Sequence, residues 1–203
     1  MVDKLIKYTH KSNIAIVVLH EIYGVNNFIK DICEKYYQDG YDVFCPELLG
    51  SGKVFSYLKA QDAYNFFISN IGFNIYEKVE KLINDLKLKY KHVFVIGYSV
   101  GATIAWRCSE NSLCDGIICC YGSRIRDYMD IIPKCPVLLV FAKYDSFDVE
   151  FVASQLLAKK QNIQIEIADA NHGFVDTYSK NYSNIHTQTF NLQQIEFLSK
   201  YSS

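Results

Sequence analysis

The chain has 203 residues, half of them apolar and 15% aromatic, with a formal net charge of −1. That length suits one hydrophobic core, so residues 1–203 are expected to form a single domain. Near-neutral charge, only three arginines (Arg107, Arg124, Arg126) and no basic stripe argue against nucleic acid or an anionic membrane as partner.

In chain order, Ile14 to Leu19 (IAIVVL) reads as a buried strand, Asn27 to Gln38 as a helix and Asp42 to Cys45 (DVFC) as a short strand. Residues 50 to 73 read as part helix (Ala60 to Ile68) and part loop, where a lid or substrate-facing insertion would fit. A helix is expected over Asn74 to Tyr90, because Tyr76, Val79, Leu82, Ile83 and Leu86 fall on one helical face. Next come a strand at His92 to Ile96 (HVFVI), a helix at Val100 to Glu110 and strands at Gly116 to Cys120 (GIICC) and Val137 to Phe141 (VLLVF). A helix at Val149 to Lys160, a strand at Ile163 to Ile167 (IQIEI) and a helix at Thr187 to Lys200 complete the pattern. Near-continuous apolar strands alternating with helices imply an α/β fold, a mostly parallel sheet flanked by helices on both faces. In such a sheet the strand-to-helix loops emerge along one edge, where ligands bind.

The reactive residues that directly follow a strand are therefore the informative ones. Gly97-Tyr98-Ser99-Val100-Gly101 follows HVFVI and opens a helix, the G-x-S-x-G turn that lifts a serine hydroxyl above an α/β-hydrolase sheet. Small residues are needed at Gly97 and Gly101 because side chains there would meet neighbouring backbone in so tight a turn. Serine needs a base to take its proton and an acid to orient that base. Asp145 follows VLLVF and His172 follows IQIEI, giving the order Ser, Asp, His that this fold uses. The expected catalytic set is thus Ser99, Asp145 and His172. Asp148 and Asp169 lie close enough to compete for the acid role. His92 opens a strand at the wrong edge, His10 and His186 have no evident route to the site, and His20 is expected to hold the loop after the first core strand.

An oxyanion needs two backbone donors. One is expected from Val100, the residue after the serine, and the other from the loop His20-Glu21-Ile22-Tyr23-Gly24. The seven cysteines include no C-x-x-C pair and no zinc spacing, and most sit in apolar runs, so reduced buried thiols are expected. No run approaches the ~20 apolar residues of a membrane span, and Met1-Val2-Asp3-Lys4 lacks the apolar core of a secretory signal. The reading is a cytoplasmic protein needing no cofactor or metal. The sequence carries no mark of oligomeric state.

Together these segments resemble the dienelactone hydrolase family. His20-Glu21-Ile22-Tyr23-Gly24 is similar to its H/Q-E-I-F/W-G loop, Cys45-Pro46-Glu47-Leu48 to its "aPdLy" segment and Gly97-Tyr98-Ser99-Val100-Gly101 to its G-x-C/S-x-G turn. Tyr144-Asp145 and Asn171-His172-Gly173-Phe174 complete a resemblance spanning residues 14 to about 175. It implies an α/β-hydrolase fold that hydrolyses esters or lactones with a metal-free triad, Ile22 and Val100 supplying the oxyanion N–H groups. Founding members use cysteine as nucleophile, contacted at rest by the motif glutamate. With Ser99 in that place, Glu21 is left a structural or hydroxyl-orienting role. They also hold a substrate carboxylate with arginines, one shortly after the catalytic histidine. Val175-Asp176-Thr177-Tyr178 has none, and Lys53 or Lys59 are the remaining cations near the expected site. The aromatic run Tyr64-Asn65-Phe66-Phe67 reads as core or as pocket lining, and in the second case it suits a neutral or apolar acyl ester. The expected activity is hydrolysis of a small-molecule ester or lactone through an acyl-enzyme. Thioester or peptide cleavage by the same residues, and a non-catalytic ligand-binding module that retains the fold, are the alternatives.

Overall fold

The computed structural model describes residues 4–50, 52–159 and 162–202. Its strands are β1 (Leu5–Tyr8), β2 (Ile14–Leu19), β3 (Asp42–Pro46), β4 (His92–Tyr98), β5 (Gly116–Cys120), β6 (Val137–Tyr144) and β7 (Ile163–Asn171). Its helices are α1 (Asn27–Gln38), α2 (Ala60–Asn70), α3 (Tyr76–Lys87), α4 (Val100–Arg107), α5 (Val149–Lys159) and α6 (Asn184–Tyr201). The strands form one sheet in the order β1-β3-β2-β4-β5-β6-β7. β1 runs antiparallel to β3, and every other neighbouring pair is parallel.

The apolar strands are buried on both faces because alternate residues feed two separate cores. Ala15, Val17, Leu19, Val93, Val95, Ile117 and Leu139 pack with Val79 and Ile83 of α3, Trp106 of α4 and Leu156 of α5. Ile16, Val18, Ile96, Ile118 and Val140 turn the other way, onto Phe28 and Ile29 of α1 and Phe190 and Phe197 of α6. Each wholly buried aliphatic or aromatic side chain of this kind contributes ~1.5–3 kcal/mol, so the two cores fix the strand register tightly. Trp106 is the largest buried side chain, and its indole N–H donates to the Tyr128 carbonyl at 2.9 Å. All seven cysteines are buried and free.

The sequence-based boundaries shift in informative places. The strand expected to end at Ile96 runs on to Tyr98, the one expected to end at Phe141 runs to Tyr144, and the one expected to end at Ile167 runs to Asn171. Each extension brings the strand end directly against Ser99, Asp145 or His172. The helix expected over Asn74 to Tyr90 begins as a 3-10 turn (Phe73–Ile75) and ends at Lys87, while that expected over Val100 to Glu110 tightens to a 3-10 turn at Cys108–Glu110. α6 starts one turn earlier than expected, at Asn184. The expected end of α5 at Lys160 lies outside the described residues. No described helix is long and apolar enough to cross a membrane.

Candidate active site

β4 ends at Tyr98 and α4 begins at Val100, so Ser99 makes the whole turn between them. It does so at φ 55° and ψ −116°, a conformation rare for a residue with a side chain. Such strain costs ~1–3 kcal/mol and persists only where surrounding packing enforces it. The enforcement is visible. A Cβ added at Gly97 would run into the backbone of Gly101, and one at Gly101 into the carbonyls of Leu19 and His20 at the end of β2. The turn is thus wedged between its own helix and the neighbouring strand, with the serine hydroxyl at the sheet edge.

His172 arrives from the end of β7 and Asp145 from the end of β6, where the β6–β7 pairing shifts register between Ala142 and Tyr144. The imidazole Nε2 lies 3.0 Å from Ser99 Oγ, and Nδ1 lies 2.8 Å from Asp145 Oδ2. The other carboxylate oxygen of Asp145 accepts from the Ser146 backbone N–H at 2.6 Å. Asn181 holds the His172 loop by donating to the His172 carbonyl at 2.8 Å. The Tyr121 ring backs the imidazole at 4.8 Å between centroids. Burial alone would push the Asp145 carboxyl up, but the hydrogen bond and charge of His172, with the Ser146 donors, leave it below the usual carboxylate value. Burial likewise opposes the imidazolium, yet Asp145 and the charge of Glu21 outweigh it and raise His172 above the usual value.

The competing acids are occupied elsewhere. Asp148 Oδ1 accepts from the Phe151 N–H at 2.9 Å in the first turn of α5, and Asp169 pairs with Lys143 at 3.3 Å. Among the histidines, His20 is wholly buried, its Nδ1 bonded to the Glu21 carbonyl (2.6 Å) and its Nε2 accepting from the Leu48 N–H (2.9 Å). That pattern requires a neutral ring, and burial lowers its pKa to about 4 against the opposing Glu21 bond. His20 therefore ties the loop after β2 to the loop after β3. His92 lies near Asp115 at the opposite end of β4, and His10 stacks on Tyr37.

Glu21 sits behind the imidazole, 3% exposed. Burial and then the nearby charge of Asp176 raise its carboxyl to about 7, against His172 and Tyr121, which lower it. Asp176, also buried, accepts from the Tyr57 hydroxyl at 2.5 Å, and that hydroxyl accepts from the Asn26 amide at 3.0 Å. One side-chain chain thereby joins the loops after β2, β3 and β7.

Ser99, His172 and Asp145 open onto a cavity of about 290 Å³ also lined by Ile22, Val100 and Tyr64. Val100 is the first residue of α4, whose leading N–H groups have no partner within the helix. Tyr64 faces this cavity, whereas Phe67 of the same aromatic run is fully buried in the core. Neither Lys53 nor Lys59 lines it; the Lys53 ammonium lies over the Phe66 ring, 3.8 Å from its centroid. Instead the wall carries Arg124, which the sequence reading passed over. The signal was available, since Arg124 follows the end of β5 by four residues at the same sheet edge. Among the described residues, no three His, Cys, Asp or Glu side chains converge to hold a metal.

A mostly parallel sheet with this strand order and a serine turn after β4 defines an α/β-hydrolase fold, and solved structures of that fold match it closely. The dienelactone hydrolase-like promiscuous phosphotriesterase P91 from metagenomic libraries superposes with a TM-score of 0.75 at 14% identity, covering 95% of this chain and 88% of that one. The model of the dienelactone hydrolase family matches residues 4–202, and the chain belongs to that hydrolase family. It is 41% identical over 165 residues to the uncharacterized protein YczH of Bacillus subtilis, covering 79% of this chain and 80% of that protein. It is 23% identical over 206 residues to carboxymethylenebutenolidase 1 of Cupriavidus pinatubonensis, with 95% and 88% covered.

Proposed function

We propose that the chain hydrolyses a small carboxylic ester or lactone through an acyl-enzyme on Ser99. The observation that carries this reading is the continuous hydrogen-bond chain from Ser99 through His172 to Asp145 at the wall of one cavity. As the Ser99 oxygen attacks the carbonyl carbon, His172 Nε2 takes its proton, and Asp145 holds the Nδ1 proton and balances the imidazolium. The backbone N–H groups of Ile22 and Val100 receive the oxyanion. Collapse of the tetrahedral adduct breaks the acyl C–O bond as His172 gives its proton to the alcohol oxygen, which departs from an ester and stays tethered to the acyl group in an opened lactone. Water then repeats the sequence on the acyl-serine and releases the acid. Glu21 does not touch the reacting atoms in this scheme and acts through its charge on His172. A serine-directed fluorophosphonate is expected to label one site, and peptide mass spectrometry should place the adduct on Ser99. Labelling elsewhere, or none in folded protein, would overturn the assignment.

Arg124 bears on the substrate. Its Nε lies 2.8 Å from Asp127 Oδ2, and its side chain lines the cavity. A guanidinium suits a carboxylate, so this reading assigns an anionic group to one end of the substrate rather than the neutral ester expected from the aromatic run. Arg124→Leu should lower kcat/KM for a carboxylate-bearing ester about 10–100-fold, the rate equivalent of the ~1.5–3 kcal/mol from a hydrogen bond to a charged group. The matched neutral ester should change by less than about threefold. Equal losses on both would remove Arg124 from substrate recognition.

A further inference from the structure

A second cavity, of about 570 Å³, lies on the far margin of the molecule between the edge strand β1 and α3. No residue lines both this cavity and the one at Ser99. It arises because the sheet ends at a four-residue strand, leaving part of the apolar face of β1 and β3 under a helix that does not close over it. Its floor is apolar: Phe44 and Leu86, each 5% exposed, with Leu5 and Leu82 half-buried at the sides. One wall is held in place by Tyr90. Tyr90 packs edge-on against Phe44, with ring centroids 5.6 Å apart, and its hydroxyl donates to the buried Asp42 carboxylate at 2.7 Å.

The rim is cationic. Lys7 of β1, Lys78 and Lys81 of α3, and Lys89 just beyond α3 surround the groove, against the single carboxylate of Asp85. None of these four lysines makes an ion pair or side-chain hydrogen bond within the described residues, whereas Lys87, outside the groove, is paired with Asp115. Lys78 and Lys81 are neighbours on one helical face, so their like charges repel at close quarters. A volume in the range of small-molecule sites and an apolar floor with a few polar groups at its rim are features of a ligand pocket, and here the rim carries an excess of positive charge. An amphipathic anion answers both, covering the floor and neutralising the rim.

We propose that this groove binds a medium-chain carboxylate, its alkyl tail on Leu5, Phe44 and Leu82 and its head group among the lysines. Lysine ammoniums act as point charges that neutralise an anionic head group without dictating its geometry, so the apolar floor carries the preference for an alkyl tail. The proposal does not depend on the hydrolase chemistry, and its test reads binding alone.

Isothermal titration calorimetry of the full chain with octanoate, octan-1-ol, acetate and inorganic phosphate tests it. Octanoate should bind one to one, at least tenfold tighter than the other three. The Lys78→Glu/Lys81→Glu variant should weaken octanoate at least tenfold while leaving octan-1-ol unchanged. Both positions are exposed, so the fold should survive, which a thermal melt checks. Octanoate bound equally by the variant would put it at another site and overturn the proposal. So would acetate or phosphate binding as tightly as octanoate, octan-1-ol binding as tightly as octanoate, or no saturable binding at millimolar octanoate.

Discussion

Replacing Ser99 with alanine is expected to lower turnover of a small activated ester by ~10⁴-fold or more. The change removes the one atom that His172 Nε2 reaches at 3.0 Å and touches little else. The turn does not depend on the hydroxyl, because its shape is set by Gly97 and Gly101 against neighbouring backbone. Thermal stability of Ser99→Ala should therefore stay close to that of the parent, separating loss of chemistry from loss of fold. Steady-state kinetics on a chromogenic ester, paired with a melting curve, make the measurement. Parental activity in the alanine variant would end the case for Ser99 as nucleophile. A parallel collapse of activity and stability would mean that the hydroxyl holds the turn.

The second large effect concerns stability, at Glu21. Burial and the charge of Asp176 hold its carboxyl up to about 7 in the folded protein, against an ordinary 4.5. A carboxyl whose folded pKa is raised is stabilising while protonated. Its contribution is complete below about 4.5, declines as the unfolded chain ionises first, and is gone once pH passes about 7. The interval corresponds to ~3 kcal/mol. Glutamine keeps the size of the side chain and cannot ionise. Glu21→Gln should consequently gain ~3 kcal/mol more over the parent at pH 8 than at pH 4, or ~6–12 °C in melting temperature for a chain of this size. Urea denaturation at the two pH values checks it, and an equal difference at both would show that folding leaves the Glu21 carboxyl at its ordinary pKa. The same substitution removes a charge that raises His172, so any gain in stability comes with a weaker base.

Most of the strands and the order of the reactive residues were legible because buried parallel strands are continuous apolar runs and Gly97 and Gly101 mark the serine turn. β1 was not legible. Leu5-Ile6-Lys7-Tyr8 is a short edge strand with one partner, β3, and its pattern of half-exposed residues has no run to distinguish it from a loop. The strand ends were underestimated for a related reason. Lys143 and Tyr144 are exposed, and β7 alternates in exposure almost throughout, so hydrophobicity fades before pairing does. The choice of Asp145 over Asp148 and Asp169 needed coordinates, since all three are acids near the right strand ends and only hydrogen-bond geometry separates them. Arg124 was only partly legible because it lies in the short 3-10 segment Ser123–Asp127 after β5, away from the family's arginine position after the histidine, and only the folded chain brings it to the Ser99 cavity. The neighbourhood of Glu21 and Asp176 lay further out of reach, since 155 positions separate the two in the chain and nothing local joins them.

The sheet order has a kinetic consequence. Ser99 and His172 stand at the ends of β4 and β7, with β5 and β6 between them. Every pairing across that span is parallel and must wait for a crossover segment to close. Refolding from denaturant should hence restore helical signal well before any capacity to act on a substrate, and the last crossover to dock sets the pace.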